Sequence, residues 1–201
     1  MNIGRYLFLF LIIAGLILGN SSYAKTKSPF SLAKPPAKSL KGQIIDYAGE
    51  IKYQSRTATQ SAKLVNFNRQ VQQGEDYFTG EEAALTIFFK NHCRLNMKEN
   101  TELKIIQTLP KTVVFSQLNG EIQYQVLGKN PISIRTAYLL TELEGTGLIT
   151  RDSEKSLVTV TIKSGQAKLA YNDLNYQSNT LTLEAGDSYV FNYDTRQGGR
   201  E

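Results

Sequence analysis

From Gly42 onward the chain alternates apolar and polar side chains at every second position. Cys93, Leu95 and Met97 share one parity and Arg94 and Asn96 the other. Ile122, Tyr124 and Val126 alternate with Gln123 and Gln125. Val158, Val160 and Ile162 alternate with Thr159 and Thr161. Ala167, Leu169 and Tyr171 alternate with Gln166 and Lys168, and Tyr189, Phe191 and Tyr193 follow the same rule. Period two is the signature of a strand with one buried face. A chain of such strands must cover many one-sided faces, so the expectation is all-β: a twisted two-sheet sandwich, or a coiled, solenoid-like sheet. No window after residue 41 has a convincing apolar repeat at helical spacing, so no long helix is expected.

Short polar breaks separate the runs. Asn91-His92, Asn119-Gly120, Ser164-Gly165 and Ala185-Gly186 read as turns, because Gly and Asn accept positive φ at low cost. "GEIKYQ", "GEIQYQ" and "GQAKLA" echo one another at unequal spacing, which suggests stacked strand–turn units rather than a regular repeat.

The first residues follow a different logic. Arg5 precedes twelve uncharged apolar residues, Leu7 to Leu18, and Ser22 and Ala24 are small. As a helix that run spans about 18 Å, short of the roughly 30 Å core of a bilayer. Residues 1–24 are read as a secretory signal peptide cleaved after Ala24, leaving a periplasmic or extracellular chain with no transmembrane span. Residues 25–41 hold five Lys, three Pro and no acid and read as a flexible basic linker. Residues 42–194 are the expected domain and 195–201 a polar tail.

Charge follows the same division. The whole chain carries a formal +5, yet residues 42–201 hold 17 basic against 18 acidic residues. The basic character belongs to the arm, which could meet peptidoglycan or another anionic surface. A near-neutral domain lacks the electrostatic footprint of a nucleic-acid binder.

The chemistry-bearing residues assemble no reactive constellation. Gly145-Thr146-Gly147 lacks the Gly-Lys-Ser/Thr of a phosphate loop, and strand-like residues follow it where a helix would have to start. Its expected use is a bend or bulge with close backbone approach. His92 and Cys93, each the sole residue of its type, are adjacent, so strand geometry points them apart. Cys93 is expected in the core and His92 in a turn. Glu81-Glu82 flanks a turn, and Glu142 and Glu144 share a strand face with no opposed partner evident. No catalytic residue, metal ligand or cofactor-binding residue is assigned.

The order of short motifs from Gly42 to Phe191 resembles the FecR domain, an all-β module of bacterial envelope proteins. "GEDYFTGEEAALTIFF" carries Gly74, Thr79, Gly80 and Leu85 at that family's positions; "FKNHCRLNMKENTEL" carries Asn100-Thr101 but has Asn91-His92 where the family has Asp-Gly. "LNGEIQYQV" supplies Gly120, and "IRTAYLLTELEGTGLIT" supplies Thr136, Gly145 and Thr146, with more residues between Thr136 and Gly145 than is usual. "VTVTIKSGQAKL" and "LTLEAGDSYVF" supply Gly165 and Gly186. The resemblance implies that these residues are structural and that Gly145-Thr146 is a tight strand connection. Family members include transmembrane regulators that relay an outer-membrane signal to a sigma factor. The expectation here is a stand-alone exported domain without that role. Its expected function is non-catalytic: a protein-binding, scaffold or sensory module engaging an envelope protein. The alternative is a cell-wall polymer or glycan binder using Tyr47, Tyr53 or Tyr176.

Overall fold

The computed structural model describes residues 38–55, 63–65 and 69–201. The signal segment with Ala24, and the linker up to Ala37, lie outside the described residues. Within them every regular element is a strand, fifteen in all, hydrogen-bonded into one continuous sheet. Two separate sheets were expected, and one open sheet is found.

The continuity comes from three long strands: β9 (Thr112–Val126), β11 (Leu139–Asp152) and β12 (Leu157–Asn172). Each gives its two halves to different neighbours. In the first row, β3 (Lys63–Leu64), β2 (Ile51–Ser55), β5 (Glu75–Thr79) and β8 (Glu102–Leu109) lead to the first half of β9. That row continues through β10 (Ile132–Thr136), the first half of β11, the second half of β12 and β13 (Ser178–Glu184). In the second row, β4 (Gln70–Val71), β1 (Gly42–Ala48), β6 (Ala84–Phe89) and β7 (Cys93–Met97) lead to the second half of β9. The second half of β11, the first half of β12, β14 (Ser188–Asn192) and β15 (Gln197–Arg200) complete it. The segment read as a polar tail is therefore largely an outer strand.

Glycine makes the shared strands possible. Gly120 in β9, Gly145 in β11 and Gly165 in β12 have φ of +80°, +96° and +77°. Gly145 and Gly165 stand opposite each other, and the register shifts between Thr146 and Gly147. A Cβ on Gly145 would lie 2.2 Å from the Ser164 carbonyl oxygen, and one on Gly165 would lie 2.2 Å from that of Glu144. The two backbones approach so closely that only glycine fits either position. Asn119-Gly120 and Ser164-Gly165, expected as turns, are thus bends inside unbroken strands, and Gly145-Thr146, expected as a strand connection, lies inside β11. Asn91-His92 and Ala185-Gly186 are turns as expected.

The core follows the alternation. Cys93, Leu95, Met97, Ile122, Tyr124, Val158, Val160, Ile162 and Phe191 are all buried. Rings from the two rows meet inside it. Phe89 of β6 lies 5.8 Å from Phe115 of β9, and Tyr171 of β12 lies 4.8 Å from Phe191 of β14. Each such ring contributes about 1.5–3 kcal/mol by leaving water.

The antiparallel pairing gives the molecule two ends. The bend of β9 and the turns after β1, β5, β7, β10, β11, β12 and β14 gather at one, the Gly120 end. The bends of β11 and β12 and the turns at residues 90–92, 110–111 and 185–187 gather at the other, the Gly145 end.

Candidate binding surface at the Gly120 end

Backbone fixation comes first at this end. Thr79 closes β5, and its Oγ1 donates to the Lys98 carbonyl at 2.6 Å and accepts the Thr101 N–H at 2.9 Å. Thr101 Oγ1 donates to the Glu99 carbonyl at 3.0 Å and accepts the Glu121 N–H at 3.1 Å. Gly120 lies against this knot: a Cβ there would be 2.2 Å from Thr101 Oγ1. Gly80 donates its N–H to Glu50 at 2.9 Å and accepts that of Asn100 at 3.1 Å. The fully buried Gln117 amide donates to the carbonyls of Gly120 (2.7 Å) and Ile149 (3.0 Å) and accepts the Tyr124 hydroxyl at 3.2 Å. Three strands are tied together at the bend.

Beside the knot, Lys98, Glu99, Gly120 and Glu121 line an open cleft of about 780 Å³. Carboxylates of Glu82, Glu99, Glu121, Asp152 and Glu154 line it, against Lys98 and Arg151. Several are already engaged. Glu99 accepts the Glu82 N–H at 2.8 Å, and Thr150 donates to Glu121 at 3.4 Å. The Lys155 ammonium and neighbouring backbone N–H groups hold the Asp152 carboxyl below the usual range. Ser153 donates to Asn119, which donates to the Asn100 carbonyl at 3.0 Å.

Aromatic and guanidinium groups extend the surface beyond the cleft. Arg151 lies 5.3 Å from the Tyr193 ring, and the Tyr193 hydroxyl donates to the Ser153 carbonyl at 3.3 Å. Arg196, in the turn before β15, stacks 4.1 Å over Tyr138, in the turn after β10. Leu140 pairs with Ala170, so the turns holding Tyr138 and Tyr176 project past the same end of the sheet. Tyr138 is 57% exposed, Leu174 59% and Tyr176 81%. Glu82, Asn100, Ala137, Ser156, Tyr176 and Arg196, six of the seven described non-glycine residues with positive φ, lie in these turns.

The sequence-derived positions divide in two. Thr79, Gly80 and Gly120 converge here. Gly145, Thr146 and Gly165 lie together at the opposite end. Gly74 (φ +87°) donates to the Ile105 carbonyl at 2.7 Å, and Gly186 (φ +97°) to that of Ile162 at 2.8 Å. Thr136 is buried, and its hydroxyl has no partner among the described residues. Cys93 is fully buried, and burial pushes its thiol up to about 12. His92 Nδ1 donates to the Lys90 carbonyl at 2.9 Å in the turn beside it. Glu142 and Glu144 lie on the outer face, where Gln166 donates to Glu144 at 3.0 Å. Among the described residues no group of three His, Cys, Asp or Glu is placed to hold a metal. Of the tyrosines read as exposed, Tyr47 and Tyr176 are exposed, whereas Tyr53 stacks 6.2 Å from Tyr77 and lies 3.5 Å under Arg69. Tyr138, Arg151 and Arg196 are not singled out by the sequence, where a Tyr or Arg beside a turn is the only local signal; Tyr193, expected on the inward face of a strand, lies half-buried in the turn after β14.

Residues 75–168 match the FecR protein family. The FecR match runs from β5 to the second half of β12 and includes Thr79, Thr101 and Gln117 of the knot, the three bends and all the residues lining the cleft. Two crystal structures of a candidate anti-sigma factor from Parabacteroides distasonis ATCC 8503, at 2.50 and 1.65 Å resolution, are similar in fold. Each gives a TM-score of 0.54 at 11% identity, over 63% of this chain and 58% of theirs. The chain thus spans under two thirds of their length. No curated protein matches the sequence. No helix among the described residues is long and apolar enough to cross a membrane.

Proposed function

We propose that this chain is a non-catalytic FecR-like module of the bacterial envelope that binds a protein partner through the Gly120 end. In this reading the two rows face each other as a sandwich folded from one sheet. Residues 1–24 are removed during export, and the product is periplasmic or extracellular. The observation that carries the reading is that the exposed Tyr138, Leu174 and Tyr176 sit in turns at the same end as the cleft, with Arg196 over Tyr138 and Arg151 over Tyr193. Tyr and Arg anchors around a desolvatable centre are what protein interfaces favour. The match to FecR supports a regulatory or sensory setting, and the anti-sigma description of the fold neighbours is compatible with it. The glycan reading keeps the exposed Tyr47 and Tyr176, whereas the Tyr53 ring is covered by Arg69.

The test is crosslinking in the intact envelope followed by mass spectrometry of what the protein retains. The variant Tyr138→Ala/Tyr176→Ala is expected to lose a specific partner that the parent protein holds, because each aromatic anchor contributes about 2 kcal/mol or more. An unchanged set of crosslinked proteins would reject this surface.

A further inference from the structure

We infer that β13 is a self-complementary edge through which two copies of this chain pair, joining their first rows into one sheet across a two-fold axis. Among the described residues β13 pairs only with β12. Two hydrogen bonds show which backbone groups face away from β12. The Thr182 carbonyl accepts from the Arg200 guanidinium at 2.7 Å, and the Glu184 N–H donates to Asp187 at 2.9 Å. Alternate residues of an antiparallel strand point their N–H and C=O the same way. Ser178, Thr180, Thr182 and Glu184 therefore present the free edge.

Two side chains, Arg200 and Asp187, cap part of this edge, and the strand itself is otherwise open to addition. "SNTLTLE" has no Lys, no Pro and no bulge, and its seven residues pair with β12 in unbroken register. The other outer strands are poorer: β3 and β4 have two residues each, and β15 is Gln-Gly-Gly-Arg.

The sequence of β13 fits itself. An antiparallel register centred on Leu181 sets Thr180 against Thr182 of a second copy, and Ser178 against its Glu184. The outward-facing residues then form the hydrogen-bonded pairs, as the ladder requires. The strand's one charge meets a hydroxyl rather than a second carboxylate, and Leu181 meets Leu181 on the core side. The two Thr180–Thr182 pairs supply four backbone hydrogen bonds. Arg200, which is also paired with Asp187 at 3.3 Å, must swing off the Thr182 carbonyl, and Asp187 must release the Glu184 N–H for the outer Ser178–Glu184 pair to form; these are solvent-exposed contacts of small worth. The contact is isologous, so it closes at two copies. An edge of this length buries less than a standard interface, so the dissociation constant is expected on the order of 10–100 µM. This inference does not depend on the partner proposed above.

The test is sedimentation equilibrium of the purified full chain from about 1 µM to about 1 mM. The wild type is expected to pass from monomer to dimer. Thr180→Lys/Thr182→Lys sets lysine opposite lysine and should weaken the dimer at least about tenfold, whereas Thr180→Lys/Thr182→Glu sets lysine opposite glutamate and should dimerise at least as well as wild type. Both pairs of substitutions lie on the exposed face, and far-UV spectra confirm that the sheet is kept. A wild type monomeric at every concentration would overturn the inference. So would a dimer indifferent to both variants, or one weakened equally by both.

Discussion

Gly120 and Gly186 both have positive φ, yet their surroundings differ. A Cβ on Gly120 would meet Thr101 Cα at 2.6 Å and Oγ1 at 2.2 Å, whereas one on Gly186 has nothing within 4 Å. Gly120→Ala therefore adds a steric clash to the backbone strain and is expected to cost about 3 kcal/mol or more. Gly186→Ala bears the strain alone, about 1 kcal/mol. Urea unfolding of the two variants measures both, and equal losses would contradict the close approach at the bend. Cys93 offers a second check. With its thiol at about 12 and no exposure, a disulfide reagent at pH 8 should modify the native protein at least about a thousandfold more slowly than the denatured chain. Cys93 was legible in the sequence because its neighbours Leu95 and Met97 share its face.

At the scale of elements, the strands were readable wherever alternation ran unbroken, as in β7, β14 and both halves of β12. The bends were not. A glycine with positive φ reads the same in a hairpin turn as in a strand changing neighbours, and only the partner strand, often far along the chain, distinguishes them. Gly120 opposite Arg151, and Gly145 opposite Gly165, are facts of pairing rather than of local sequence. The β10–β11 pair hides a cost that alternation also conceals. Thr136 and Thr141 occupy inward positions, and neither hydroxyl has a partner among the described residues. Thr141→Val keeps the shape and removes a buried unsatisfied group, so a gain of about 1 kcal/mol is expected in the same unfolding assay. On β8, burial raises the Glu102 carboxyl, and Asp76 raises it further. The folded state then favours the protonated form. Stability falls as pH rises from the unfolded value through the raised folded value, and the penalty is full above that. Glu102→Gln should be slightly more stable than wild type at pH 7, with the difference vanishing below about pH 4, where the carboxyl is protonated in both states. A constant difference across that range would assign the effect to packing instead.

At the scale of the whole molecule, the two ends differ in structure. At the Gly145 end the backbones of β11 and β12 are in close contact at Gly145 and Gly165. The Gly120 end carries the cleft, the arginine-stacked tyrosines and most of the positive-φ turn residues. Little of this surface could be read from the sequence, because it joins residues as distant as Tyr138 and Arg196, or Glu82 and Arg151, which the order of strands brings to one end. The central claim is that binding belongs to this end. The most direct measurement is site-specific photocrosslinking in the intact envelope, with the reactive side chain placed at Leu174 in one protein and at Lys129, beyond the end of β9 near the other pole, in a second. A discrete crosslinked protein from Leu174 and none from Lys129 is the predicted result. The same adduct from both positions, or an adduct from Lys129 alone, would contradict the account.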